Sequence, residues 1–159
     1  VSHRTVYSYY QNKQDIFHAG GVEVGTTFLA EVRPSRLSND ATPQQVIRRE
    51  NERYLRWHKS NSRWLAVAEE ASGTDEVAHR WRLGARRREV RRVAASIKRW
   101  QATGLIDASI AADPTAGALV SMMTNFAYWL YEAGDQYDEA EAIETVTAVW
   151  LRAVGLAVS

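Results

Sequence analysis

The residues best equipped for chemistry stand at the start of the chain, where Val1 to Phe17 reads Val-Ser-His-Arg-Thr-Val-Tyr-Ser-Tyr-Tyr-Gln-Asn-Lys-Gln-Asp-Ile-Phe. Ser2 is a helix-capping residue type, and the spacing predicts a short helix through about Tyr9. Ser2, His3 and Arg4 then occupy its first turn. The Arg4 guanidinium offers two parallel N–H donors, the pattern that matches O6 and N7 of guanine. Thr5 can give its hydroxyl to a phosphate or its methyl to thymine. Val6 and Tyr10 fall on the opposite side and need apolar partners.

A second chemistry is suggested by the histidines, four in all: His3, His18, His58 and His79. Glu76-Val-Ala-His79 has the Glu-x-x-His spacing of helical di-iron carboxylate sites, and Asp15-Ile-Phe-His18 is a near match. Such a site needs a second Glu-x-x-His and two further inward glutamates. Arg80 and Arg82 flank His79 and would repel a cation. A helical metal-carboxylate enzyme therefore stands as an alternative, with no metal residue and no catalytic residue assigned. Cysteine is absent, which excludes thiol nucleophiles and disulfides. No phosphate-cradling glycine loop, His-Glu-x-x-His or Gly-x-Ser-x-Gly occurs. No cofactor is implied.

The opening string resembles the recognition helix and following turn of the tetracycline-repressor (TetR) family. Its small polar residue, basic residue, Thr, apolar residue, Tyr, two further aromatics, Asn, Lys, acid and apolar pair come in the same order. The resemblance implies an all-α protein with a helix-turn-helix followed by a ligand-sensing and dimerising body. It implies that Ser2, His3, Arg4 and Thr5 face base edges in a major groove. Tyr7 and Tyr9 are similar to family positions that touch the DNA backbone and nearby bases. Lys13 is similar to the lysine that meets a phosphate from the next helix N-terminus, where the helix dipole helps. The two helices that precede the recognition helix in the family are not in this sequence, so residues before Val1 are expected. A helical adaptor that keeps the fold without reading DNA is a further alternative.

The elements that must position these residues all read as helices. No run alternates apolar and polar residues over strand length, and Pro occurs only at 34, 43 and 114. Asn12 and Asp15 open a helix to about Val32, loosened at Gly20-Gly21. Residues 1–32 form the tail of the DNA-binding part and its connecting helix, and residues 42–159 the sensing and dimerising part. Thr42 before Pro43 caps a helix to about Lys59. Ser62 is expected to cap a separate one, Arg63 to Ala71. A long helix starts at Thr74 to Glu76 and stops near Gly104. Its apolar residues change phase along its length, which predicts neighbours on two sides or a bend near Gly84. Asp113-Pro114 opens a helix to about Ala133, without charge from Thr115 to Tyr131 and so expected to be covered nearly all round. Asp138 caps the last helix, which runs on toward Val158.

By resemblance, the last two helices pair with their copies in a homodimer. Met122, Phe126, Trp129, Ile143, Val146 and Trp150 are the candidate interface residues. A cavity for a small-molecule effector is expected between the central helices, with Trp57, Trp64, Trp81, Trp100, Tyr128 and Trp129 as candidate walls. The expected partners are thus double-stranded operator DNA, a small effector and a second copy.

Net charge is +1, which argues neither for nor against nucleic acid. The charge is segregated, with cations concentrated over Arg80 to Arg99 and acids after Asp113. The run Arg82, Arg86, Arg87, Arg88, Arg91 and Arg92 lacks interleaved aromatics and reads as a solvated helix face. Apolar residues make up 45% of the chain, enough for a packed core. The most apolar stretch, Ala116 to Leu130, is too short and too interrupted by polar residues to span a bilayer. The absence of cysteine and of a signal-peptide pattern fits a cytoplasmic protein with no membrane partner.

Overall fold

A capping box starts the first well-defined helix. In a computed structural model, which describes Gly20, Gly21, Val24, Phe28 and residues 41–158, the Thr42 hydroxyl accepts from the Gln45 N–H at 3.3 Å. The Thr42 N–H donates back to the Gln45 side chain at 3.0 Å. With Pro43 in the first turn, this satisfies amide groups that would otherwise be orphaned. The helix α1 runs Pro43–Ser72 without interruption. The expected break at Ser62 is absent. Ser60 donates from its hydroxyl to the Arg56 carbonyl, and Asn61 from its side-chain amide to the Trp57 carbonyl. These polar residues bond back one turn and leave the helix intact instead of capping a new one.

Asp75 caps α2, Glu76–Ala102, accepting from the Val77 and Ala78 N–H groups at 2.8 and 2.9 Å. The helix stops at Gly104, whose φ of 71° permits the Leu105 N–H to reach the Trp100 carbonyl. Helix α3 covers Ala112–Tyr128 and continues as a π-helical turn, Trp129–Ala133. Asp138 caps α4, Glu139–Ala153, accepting from Ala140 and Glu141. α4 stops short of Val158 because Gly155 adopts φ of 74° and Leu156 bonds back to the Leu151 carbonyl.

The described residues are helical and contain no strand, so the fold is all-α. α2 packs against α1 on one side and α3 on the other, which answers its change of apolar phase. α4 lies against α1. The main core gathers Ile47 from α1, Val93, Ala94 and Ile97 from α2, Leu119 and Val120 from α3, and Leu151 and Val154 from α4. A second cluster joins Leu55, Met123, Ala127 and Val146. Leu55, Ile97 and Val154 are the largest side chains sealed completely. Among the described residues, no helix is long and apolar enough to cross a membrane.

α3 is not covered all round within the single chain. Ala118, Ser121, Asn125 and Trp129 are exposed along one side. On α4, Val149 is exposed as well.

Candidate functional site

The four helices line a partly open cavity of about 170 Å³. α1 turns Ile47, Glu50, Asn51 and Tyr54 toward it, residues three and four apart on one face. α2 contributes Glu89, Arg92, Val93, Ser96, Ile97 and Trp100 with the same periodicity. Leu119, Val120 and Met123 close one wall from α3, and Trp150 and Val154 another from α4. The walls are mainly aliphatic and aromatic, as small-molecule sites are.

Four charged residues border the cavity, Glu50, Glu89, Arg92 and the exposed Arg99, and three of them are joined. Arg92 donates from Nη1 to Glu50 Oε2 at 2.9 Å and from Nη2 to Glu89 Oε1 at 2.6 Å. Its Nε also faces both Glu89 oxygens, at 3.2 and 3.1 Å. Burial opposes the Arg92 charge, but the bonds and charges of Glu89 and Glu50 outweigh it and hold its pKa above the ordinary value. The guanidinium thus fastens α1 to α2 beside the cavity. Glu50 Oε1 has no hydrogen-bond partner and is shielded from water.

A second polar group is buried nearby. His58 Nε2 lies 2.5 Å from Glu132 Oε1, and both side chains are only 5% exposed. Burial lowers the His58 pKa to about 4. Burial, and then the charge of Glu69, raises that of Glu132 to about 7. Desolvation also lifts Tyr54 and Tyr131 to about 12. The π turn carries Glu132 and Tyr131 to α1, where Tyr131 lies 6.2 Å from the His58 ring.

The candidate aromatic wall divides among four places. Trp100 lines the cavity, as does Trp150, which the sequence reading puts at the dimer interface. Trp57 is buried with Val24, with Phe28 edge-on to it at 4.8 Å. Trp64 and Trp81 meet edge to face at 4.9 Å, joining α1 to α2. Gly20 and Gly21 lie against this pair, so that a Cβ on Gly20 would stand 2.2 Å from Trp64 Nε1. The two glycines therefore permit a close approach of the connecting segment to the body, and the sequence shows them only as a loosened helix. Tyr128 is half-buried and edge-on to the exposed Trp129.

Of the candidate interface residues, Val146 is buried within the chain and Met122, Phe126 and Ile143 are half-buried. Trp129 is 49% exposed. Ser2, His3, Arg4, Thr5, Tyr7, Tyr9 and Lys13 lie outside the described residues. Glu76 pairs with Arg80, and His79 is exposed. Among the described residues, no group of three or more His, Cys, Asp or Glu side chains is placed to hold a metal ion.

Sequence reasoning misses Glu50, Glu89 and Arg92. The available signal is that each shares the helical register of an apolar stripe, Ile47 and Tyr54 on α1, Val93 and Ile97 on α2. His58 has a similar signal, three residues beyond Leu55 on α1. No protein-family model matches the chain, and no curated protein matches it.

Proposed function

We propose that this chain is the sensing and dimerising body, with the tail of the DNA-reading helix, of a TetR-like transcription regulator. It acts as a cytoplasmic homodimer, more as a repressor than an activator, and is released from its operator by a small-molecule effector. The observation that carries this reading is the opening string, in which Arg4, Thr5, Tyr7, Tyr9 and Lys13 stand together at fixed spacing. The cavity lined by α1 to α4 supports it by giving the body room for an effector. The side of α3 bearing Ala118, Ser121, Asn125 and Trp129, without charge and uncovered in the single chain, supports pairing with a second copy.

The mechanism follows from geometry. A dimer with one reading helix in each of two major grooves requires a separation matching its half-sites. An effector that favours a different separation lowers DNA affinity, by no more than its own preference between the two states. Of the residues described before α1, Val24 and Phe28 meet the body at Trp57, and Gly20 and Gly21 at the Trp64–Trp81 pair. A shift of α1 against α2 is therefore felt there.

The test is titration of the full-length protein into DNA from upstream of its own gene, with a scrambled duplex as control and at two salt concentrations. Preference for the native duplex, with a salt slope reporting several phosphate contacts, is the expected result. Equal weak binding to both duplexes, followed by failure to select any sequence from a random pool, overturns the reading.

A further inference from the structure

We propose that the cavity takes a protonated amine carried on an apolar body, its ammonium N–H groups directed to Glu50. This rests on the reading of the cavity as the effector site and names the class of molecule that fits it.

The charges decide between classes. Two carboxylates, Glu50 and Glu89, border the cavity and share one half-buried guanidinium, Arg92. Both Glu89 oxygens and Glu50 Oε2 accept from Arg92. Glu50 Oε1 is left over, an acceptor with no donor and almost no exposed surface. An unpaired buried carboxylate oxygen is costly, and only a donor relieves it. The terminal torsion of a glutamate is broad, so a small rotation presents this oxygen to the cavity that its side chain already borders.

The other cations do not supply that donor. Arg99 also borders the cavity but is exposed, and its Nη2 donates to Ser96 Oγ at 2.8 Å. Arg53, three residues along α1, does not line the cavity, and its Nη1 is itself shielded and unpartnered. No ion pair joins Arg53 to Glu50. An anionic ligand would meet two carboxylates and a guanidinium already engaged by both. A neutral ligand without a donor leaves Glu50 Oε1 as it is. An amine supplies charge and donor together, and Trp100 and Trp150, which line the cavity, are of the residue type that attracts cations best. The apolar body of the ligand would lie against Ile97, Leu119 and Met123.

Three probes with one body and different heads separate the classes: phenylbutylamine, phenylbutanol and phenylbutyrate. Their binding to the full-length protein without DNA is measured by calorimetry at neutral pH. The amine is expected to bind about tenfold tighter than either of the others, as one charge-assisted hydrogen bond requires. Glu50→Gln is expected to shrink that preference to about threefold or less while phenylbutanol binding persists. Tightest binding by phenylbutyrate, equal binding by all three, or no binding by any overturns the proposal. The comparison among probes on the unaltered protein stands even where Glu50→Gln does not fold. Operator affinity with the amine bound is then read separately. An amine that binds without changing operator affinity upholds the amine site and sinks the effector reading instead.

Discussion

His58 and Glu132, 74 residues apart in sequence, form a buried pair in which His58 Nε2 lies 2.5 Å from Glu132 Oε1. Burial is the leading cause of both shifts, down for His58 and up for Glu132, so each shift persists when its partner is removed. In the folded chain the pair keeps one proton from about pH 4 to about pH 7. Unfolded, it also holds one, on histidine, between the ordinary values of 4.5 and 6.5. Stability contributed by the pair is therefore flat across that window.

Removing either partner tilts this profile, in opposite directions. With His58→Asn, Glu132 remains with a raised pKa, so stability is greatest below pH 4.5 and falls as pH rises to 7. With Glu132→Gln, His58 remains with a lowered pKa, so stability is full above pH 6.5 and falls as pH drops toward 4. Each slope accumulates on the order of 3 kcal/mol. Urea midpoints measured from pH 4 to 7.5 give the slopes, and two slopes of the same sign would contradict the opposite shifts that burial imposes on the two groups.

Gly20→Ala and Gly21→Ala should differ in severity. A Cβ at Gly20 collides with the Trp64 ring, whose freedom to move is limited by Trp81 edge-on against it. At Gly21 the nearest approach, to Trp81 Nε1, is 3.3 Å and calls for a displacement of only tenths of an ångström. Gly20→Ala is expected to lower stability by about 1–3 kcal/mol, as overpacking does, and Gly21→Ala by less. Near-ultraviolet circular dichroism of the tryptophans reports the displacement directly. Equal effects would show that the connecting segment does not approach the pair this closely.

Thr42→Ala removes one half of the capping box and is expected to cost about 1 kcal/mol in denaturant unfolding. Gln45→Ala removes the other half, and the double variant should cost less than the sum, since the two bonds close one box. Strict additivity would mean that the two bonds act independently.

Val149→Asp tests the second copy. Val149 is 39% exposed in the single chain, so the fold should tolerate a charge there. An interface built from α3 and α4 should not. Sedimentation is expected to show a shift toward monomer with an unchanged far-ultraviolet helical signal. A dimer of undiminished stability would place the interface elsewhere.

Lys13→Ala and Tyr7→Phe in the full-length protein are expected to weaken operator binding while the dimer persists. The lysine variant should also reduce the salt slope by about one contact. Unchanged affinity in both would remove the contacts assigned to them.

The helix starts are legible in the sequence because they are local. Thr42 before Pro43 and Asp138 cap as their residue types indicate, and α2 starts within the expected Thr74 to Glu76, with Asp75 as the cap. α3 starts at Ala112 behind Ala111, which has no capping side chain, and not at Asp113. Ser60, Asn61 and Ser62 mislead for the same reason, since nothing local distinguishes a residue that caps a new helix from one that bonds back to its own. The cavity is only partly legible. Trp100 can be proposed from residue type, but Glu50, Glu89 and Arg92 look like surface charges until α1 and α2 are brought together. Trp150 reads from the sequence as interface and lines the cavity instead, because one apolar face on α4 serves whichever neighbour the fold supplies. The tie between His58 and Glu132 has no sequence signature, because it depends on where α3 delivers its last turn against α1.

That last turn has a consequence for how this chain can change. Five residues, Trp129–Ala133, are wound more widely than an α-helix, and the Asp135 N–H closes the end on the Trp129 carbonyl. Deleting one of them would restore regular winding and improve the local backbone bonds. Five residues at this wider pitch turn the chain about as far as four α-helical ones, so the side chains beyond the turn would keep their bearing. Those inside it, Glu132 among them, would shift against α1 and His58. A substitution at the exposed Trp129 or Ala133 leaves that contact in place, whereas a change of length does not. The segment is therefore expected to vary in composition among descendants of this chain while keeping its residue count.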